Sequence, residues 1–268
     1  MGLAIGVVLV VLGAGLWLGA GTQKKRLAQV RGTETSTAKE LKSLSDAVAE
    51  DIGSGSFNRV TEVKGKVVCD NPLVSELAQA ACVYYSMKVS REYEETRWET
   101  DSNGNRTSRV QRGSEAVASN ARSVPFFVED ATGKVKVDPA GASFVAEKSL
   151  SRFDSGDPQG TTLRIGGFSL SLQGLSLAAN RRTLGYRYEE DAVPVGREIY
   201  VLGEAIDSGG ELRIVKPKEK ATKFIVSLKS EEELERGAES ASRGLAIGAV
   251  VSAAAGIGIL VLTLAGVF

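Results

Sequence analysis

The sequence predicts a membrane-anchored α+β protein: a mostly β soluble domain with antiparallel strands, flanked by N- and C-terminal transmembrane helices. Three observations carry this. Residues 1–22 and 244–268 contain no charged side chain, so the 33 Lys and Arg and the 33 Asp and Glu of the 268 residues all lie between them. Within that middle, apolar residues alternate with polar ones, the period of a half-buried strand. Two hydroxyl-x-x-carboxylate signatures, Thr37-Ala38-Lys39-Glu40 and Ser230-Glu231-Glu232-Glu233, mark helix starts at its two borders.

The first anchor, residues 2–21, reads GLAIGVVLVVLGAGLWLGAG, about the twenty apolar residues a helix needs to cross a hydrocarbon core. A secretory signal would place a basic segment before a shorter apolar run, and nothing basic precedes Gly2. An uncleaved span over residues 1–22 is therefore expected. Residues 23–56 follow as a basic flank, a helical stalk and a Gly/Ser hinge. The flank holds Lys24, Lys25, Arg26 and Arg31. After Thr37, Leu41, Leu44 and Val48 fall on one helical face, a narrow stripe that suits either a short stalk or a helix lying against the domain. Gly53-Ser54-Gly55-Ser56 ends it.

Residues 57–229 form the β domain. Val83, Tyr85, Met87, Val89 and Tyr93 alternate with polar neighbours, so one face of that strand is buried and one is wet. Asp101-Ser102-Asn103-Gly104-Asn105 supplies a hairpin turn, because Asn-Gly accepts positive φ. Residues 106–118 return as a polar partner, giving an exposed ribbon over residues 92–118. Strands are further expected at residues 125–130 and 135–137, separated by a Thr132-Gly133 turn. A second hairpin joins residues 199–205 to 212–215, and residues 224–228 make the last strand. Residues 230–243 form a juxtamembrane helix, and residues 244–268 form the second span.

The flanks orient the anchors. Lys24, Lys25, Arg26 and Arg31 follow the first span and Arg236 and Arg243 precede the second, so the positive-inside rule puts the domain on the cytoplasmic side. The Lys24-Lys25-Arg26 cluster is read as a topology determinant, although a site for anionic lipid head groups looks the same. Small residues recur at four-residue spacing at Gly2/Gly6, Gly15/Gly19, Gly244/Gly248 and Ala254/Gly258. Such spacing lets spans pack against each other or against a second copy, but glycine is common in membrane helices and the plainer reading is preferred.

Chemistry is mostly excluded. The absence of histidine removes Ser-His-Asp and Cys-His catalysis, His-ligated zinc and haem, and a histidine pH switch. Two cysteines cannot make an all-cysteine zinc or iron–sulfur site. Cys69 and Cys82 sit near facing strand ends, so a bridge is thinkable. In a cytoplasmic domain a standing disulfide is not expected, and Cys82 reads as a small buried residue. The acidic clusters Glu92/Glu94/Glu95, Glu189-Glu190-Asp191 and Glu231-Glu232-Glu233 read as solvated faces and helix caps. No phosphate-binding glycine loop and no basic stripe with aromatics occurs. No catalytic residue, metal site, cofactor or nucleic-acid partner is assigned.

Several blocks resemble the Mulan/GIDE family in sequence and in order. They include Val63-Lys64-Gly65-Lys66-Val67, Cys82-Val83-Tyr84-Tyr85, the segment containing Pro125, Phe126, Phe127 and Asp130, and the block from Gly133 to Asp138. Tyr188-Glu189-Glu190, Val195-Gly196-Arg197, Val201-Leu202-Gly203-Glu204-Ala205 and the block from Leu212 to Pro217 complete the set. The resemblance implies a membrane-anchored E3 ubiquitin ligase layout: span, beside-a-membrane domain, span, then a RING finger. It also implies that the domain can face the opposite side, as in organelle relatives. A RING needs about eight Cys or His ligands, and this sequence offers two cysteines, so it reads as a RING-less, microbial-like member.

The function expected is that of a two-span membrane protein whose β-rich domain binds a peptide, protein or lipid at the membrane surface. The alternatives are a component of ubiquitin-like transfer that needs a RING in trans, or a membrane organiser that oligomerises through its glycine-bearing spans.

Overall fold

The computed structural model describes residues 4, 7–9, 11–17, 34–100, 106–156, 162–171, 181–208, 210–219 and 222–264. The expected Asn-Gly turn, Lys24, Lys25, Arg26, Arg31, Gly2, Gly6 and Gly19 lie outside those residues. An apolar helix, α1 (Val7–Trp17), precedes α2 (Ala38–Ile52). The strands then run β1 (Asn58–Val68), β2 (Leu73–Val74), β3 (Ala81–Thr100), β4 (Arg106–Ser123), β5 (Phe126–Asp130), β6 (Gly133–Val137) and β7 (Ser143–Val145). They continue as β8 (Glu147–Ser155), β9 (Thr162–Ile165), β10 (Phe168–Ser171), β11 (Arg181–Pro194), β12 (Glu198–Ser208), β13 (Glu211–Val215) and β14 (Ile225–Ser227). The last element is α3 (Glu231–Leu264).

Two large sheets carry the domain, and β9 and β10 pair as a separate two-stranded one. In the first, strand pairing closes a circuit β1-β5-β6-β13-β12 and back to β1, with β14 and β7 extending from β12. Inward residues of this ring form the main core, with Val63, Val67, Phe126, Val128, Val137, Val201 and Ile214 nearly or fully buried. The second sheet has the order β2-β3-β11-β8, with β4 also on β3. It builds its own core from Tyr85, Met87, Val89, Tyr186, Tyr188 and Ala192. Val83 and Val193, on β3 and β11, belong to the first core, so these two long strands reach both. Pairing is antiparallel except for β13 with β6 and β14 with β7.

Helix α2 starts at the expected capping box, Glu40 N to Thr37 Oγ1 at 3.2 Å and Thr37 N to Glu40 Oε2 at 2.8 Å. It lies against the barrel, with Leu41 fully buried. Leu44 corrects the expected stripe: it is exposed, and Ser45 takes the buried place four residues after Leu41.

Helix α3 is continuous across the expected border at residue 243/244 and is long and apolar enough to cross a membrane. Only 11 % of its apolar window is buried, which sets it apart from a core helix. Helix α1 is shorter, so among the described residues one helix, not two, reaches spanning length. The two apolar helices touch. A Cβ on Gly13 would stand 3.0 Å from the Ala249 carbonyl oxygen and 3.3 Å from the Ala253 Cβ, and one on Gly248 would stand 3.5 Å from Leu16. Gly15, Gly244 and Gly258 face open space.

Candidate functional site

The ribbon singled out in the sequence is part of the second sheet. β3 and β4 pair from Tyr84↔Ser123 to Thr100↔Arg106, with one shift at Val89/Ser90. β11 runs along the other side of β3 from Cys82 to Glu95. Residues 96–100 and 106–110 therefore project past β11 as a two-stranded arm, about 16 Å long at the strand rise.

Charge pairs stitch the base of this arm on both faces. Arg91, 3 % exposed, donates to Glu115 Oε1 and Thr183 Oγ1 at 2.9 Å each and to the Arg181 carbonyl at 3.0 Å. Arg181 reaches the other oxygen of Glu115 at 2.9 Å and lies 4.3 Å over the Tyr93 ring. On the opposite face Glu94 receives Arg182 at 2.8 Å and Arg112 at 3.1 Å, which together hold its carboxyl below the ordinary range. Glu92 receives Arg187 at 2.6 Å. Beyond these pairs the arm carries a looser one, Arg97 with Glu95 at 3.7 Å. Trp98 and Val110 are 65 % and 61 % exposed on one face, with Arg106 6.0 Å over the Trp98 ring.

A second joint lies at the root of α3. Lys64 on β1 pairs with Glu231 at 2.7 Å. Ser230 and Glu233 form the expected capping box, at 3.1 and 3.3 Å. Leu234 packs on Tyr200 and Leu202. Glu62 is fully buried below Lys64, and burial pushes its carboxyl up against the opposing help of Tyr200 and Lys64. A shallow cleft of about 300 Å³ opens here, lined by Lys64, Tyr200 and Lys229 among others. Arg236 and Arg243 are exposed further along α3, Arg236 bonding its own helix at the Glu232 carbonyl.

The residues quoted for the family pattern hold separate joints of the scaffold. Phe126 is in the barrel core, Phe127 lies half-buried under Lys134, and the Pro125 carbonyl accepts from Cys69 Sγ at 3.6 Å. Asp130 and Gly133 form the β5–β6 turn that receives α2: Asp130 accepts from Ala38 N at 2.8 Å and Gly133 N at 3.0 Å. Gly196, at φ 82°, turns β11 into β12. Gly203 lets two strands approach, since a Cβ there would meet Ile214 Cγ2 at 2.6 Å and the Val215 carbonyl oxygen at 3.0 Å. Glu204 accepts from Lys218 N at 2.8 Å beside the buried Pro217.

One sequence expectation is corrected, that for Glu190. Cys69 and Cys82 are free thiols. Each belongs to a different core, and burial raises the Cys82 thiol to about 11. Glu190 is not on a solvated face. It is fully buried and accepts from Leu77 N at 2.7 Å, Ala78 N at 3.2 Å and Ser149 Oγ at 3.0 Å. The sequence carried no signal for this role, because the residue sits inside a run of three acids. Among the described residues no group of three His, Cys, Asp or Glu could hold a metal ion.

A family model described as GIDE, E3 ubiquitin ligase, matches residues 94–262, more than half of the chain. The chain belongs to the GIDE family. This GIDE chain is also 26 % identical, over 183 residues, to the E3 ubiquitin-protein ligase SPL1 of Arabidopsis thaliana. The similarity covers 67 % of this chain and 48 % of SPL1, so the chain spans about half the length of that curated relative. No solved structure matches it. The GIDE match takes in the ribbon, β11, β12 and most of α3.

Proposed function

We propose that this chain is a two-span membrane protein whose GIDE domain recognises a peptide or protein partner at the bilayer surface, with the β3–β4 arm as the contact. The supporting observation is the arm itself: a charge-stitched base carries a tip with a large exposed aromatic. Exposed aromatics and arginines of this kind are typical of recognition surfaces. The length and apolarity of α3, and the contact of α1 with it through Gly13, support the two anchors. The basic flanks favour a cytoplasmic domain. Protease protection in oriented vesicles tests the side. Pull-down from detergent with the intact chain and with a chain lacking residues 96–110 tests the contact: partners should be lost with the arm, and unchanged partners would place the contact elsewhere.

Family membership favours a second reading, in which the chain takes part in ubiquitin transfer. The two cysteines of this sequence do not suffice for a RING, so transfer would use zinc ligands supplied by another chain or segment. A reconstituted transfer assay, with and without this chain, separates the readings.

A further inference from the structure

We propose that the outer edge of β4 binds an extended acidic peptide by strand addition. This rests on the reading of the β3–β4 arm as a contact surface and specifies its ligand.

Among the described residues β4 pairs with β3 alone, so the other side of an 18-residue strand presents unpaired backbone groups. Long bare edges template strand pairing, and proteins commonly blunt them with proline, bulges or charge. β4 contains no proline, and its single bulge, at Val117 between Ala118↔Val89 and Ala116↔Ser90, leaves residues 106–116 regular. Many of its side chains are small, among them Ser108, Gly113, Ser114, Ala116 and Ala118, which leaves the backbone within reach.

Charge selects the occupant. β4 carries four arginines and one glutamate. Arg112 and Glu115 are already paired at the base. Arg106 and Arg109 have no acidic partner among the described residues. Arg109 also stands directly opposite Arg97, which has its own acidic partner in Glu95 at 3.7 Å, so Arg109 itself faces a like charge. Arg106 and Arg109 lie on opposite faces, so a strand laid along β4 that bears carboxylates on both faces neutralises both, while an aliphatic residue covers Val110. Two β4 edges brought together would instead add arginine to arginine, which disfavours a second copy as the occupant.

The test uses the full chain in phosphatidylcholine nanodiscs and two fluorescein-labelled ten-residue probes, one of Glu and Val and one of Lys and Val. Anisotropy should show binding of the acidic probe only, and R106E/R109E should weaken it at least tenfold. Amide exchange across residues 106–116 should slow when the acidic probe is added. Equal binding to the charge-reversed chain, or binding without slowed exchange, overturns strand addition of an acidic segment. So does slowed exchange without probe that grows with protein concentration, which would identify a second copy as the occupant. A photoreactive residue in place of Val110 separates the two levels of the argument. If it still crosslinks to partners while the acidic probe fails, the arm remains a contact surface and only its assigned ligand falls. If neither binds, the arm itself is not the contact.

Discussion

The Asp130 carboxylate accepts hydrogen bonds from Ala38 N, Thr132 N, Thr132 Oγ1 and Gly133 N, so one side chain fixes a turn and docks the first turn of α2. Burial opposes its charge, but these donors prevail and hold the carboxyl below its ordinary value of 3.8. Stability from this group is therefore full above that value and is lost as pH falls through the lower folded value. Asp130→Ala should cost about 1–2 kcal/mol at pH 7, and the deficit should shrink toward pH 2 in urea titrations. Glu62 has the opposite sign. Its folded carboxyl is raised above 4.5 by burial, so it favours the folded state below 4.5 and loses that contribution as pH rises through the folded value. Glu62→Gln should raise the melting temperature at pH 7–8 and flatten the decline of stability above pH 5. Neither role was legible in the sequence. A lone Asp before Thr-Gly announces a turn, and nothing in the local pattern says that a helix some ninety residues earlier will use it.

At the scale of elements, the charged ribbon is held by pairs that cross three strands, β4 to β3 to β11. Arg91 is the most buried member, and its removal leaves Glu115 with only Arg181 and leaves Thr183 without its donor. Arg91→Ala should cost about 2–3 kcal/mol, read as a lower urea midpoint, with faster amide exchange confined first to residues 92–118. The β3–β4 hairpin and both helix starts were legible, because alternation and capping are local signals. β11 was not. Its burial alternates only in part, and Arg187, Glu189, Glu190 and Asp191 make a central strand look like a wet surface. The expected free ribbon is consequently shorter: β11 covers β3 as far as Glu95, and only the tip stands clear.

For the whole molecule, ring closure depends on pairings between distant segments, such as Val137 with Ile214 and Val63 with Val201. Periodicity specifies a face and not a partner, so the sequence implied a β domain without its topology. The packing of α1 on α3 was legible only as a tendency. Among the described residues the contact uses Gly13 with Ala249 and Ala253 and Gly248 with Leu16, while Gly15, Gly244 and Gly258 take no part. Gly13→Ile should force the helices apart. With a protease site engineered between residues 22 and 32, the cut α1 fragment should co-purify with the rest of the native chain in detergent and separate from the variant. One consequence follows from the unbroken course of α3, pinned at Glu231 by Lys64 and at Leu234 by Tyr200 and Leu202. With no swivel between the anchored root and the apolar stretch, the helix acts as a stiff lever. With α3 in a bilayer, as proposed above, a thinner or thicker membrane that changes its tilt would swing the domain, and with it the reach of the arm.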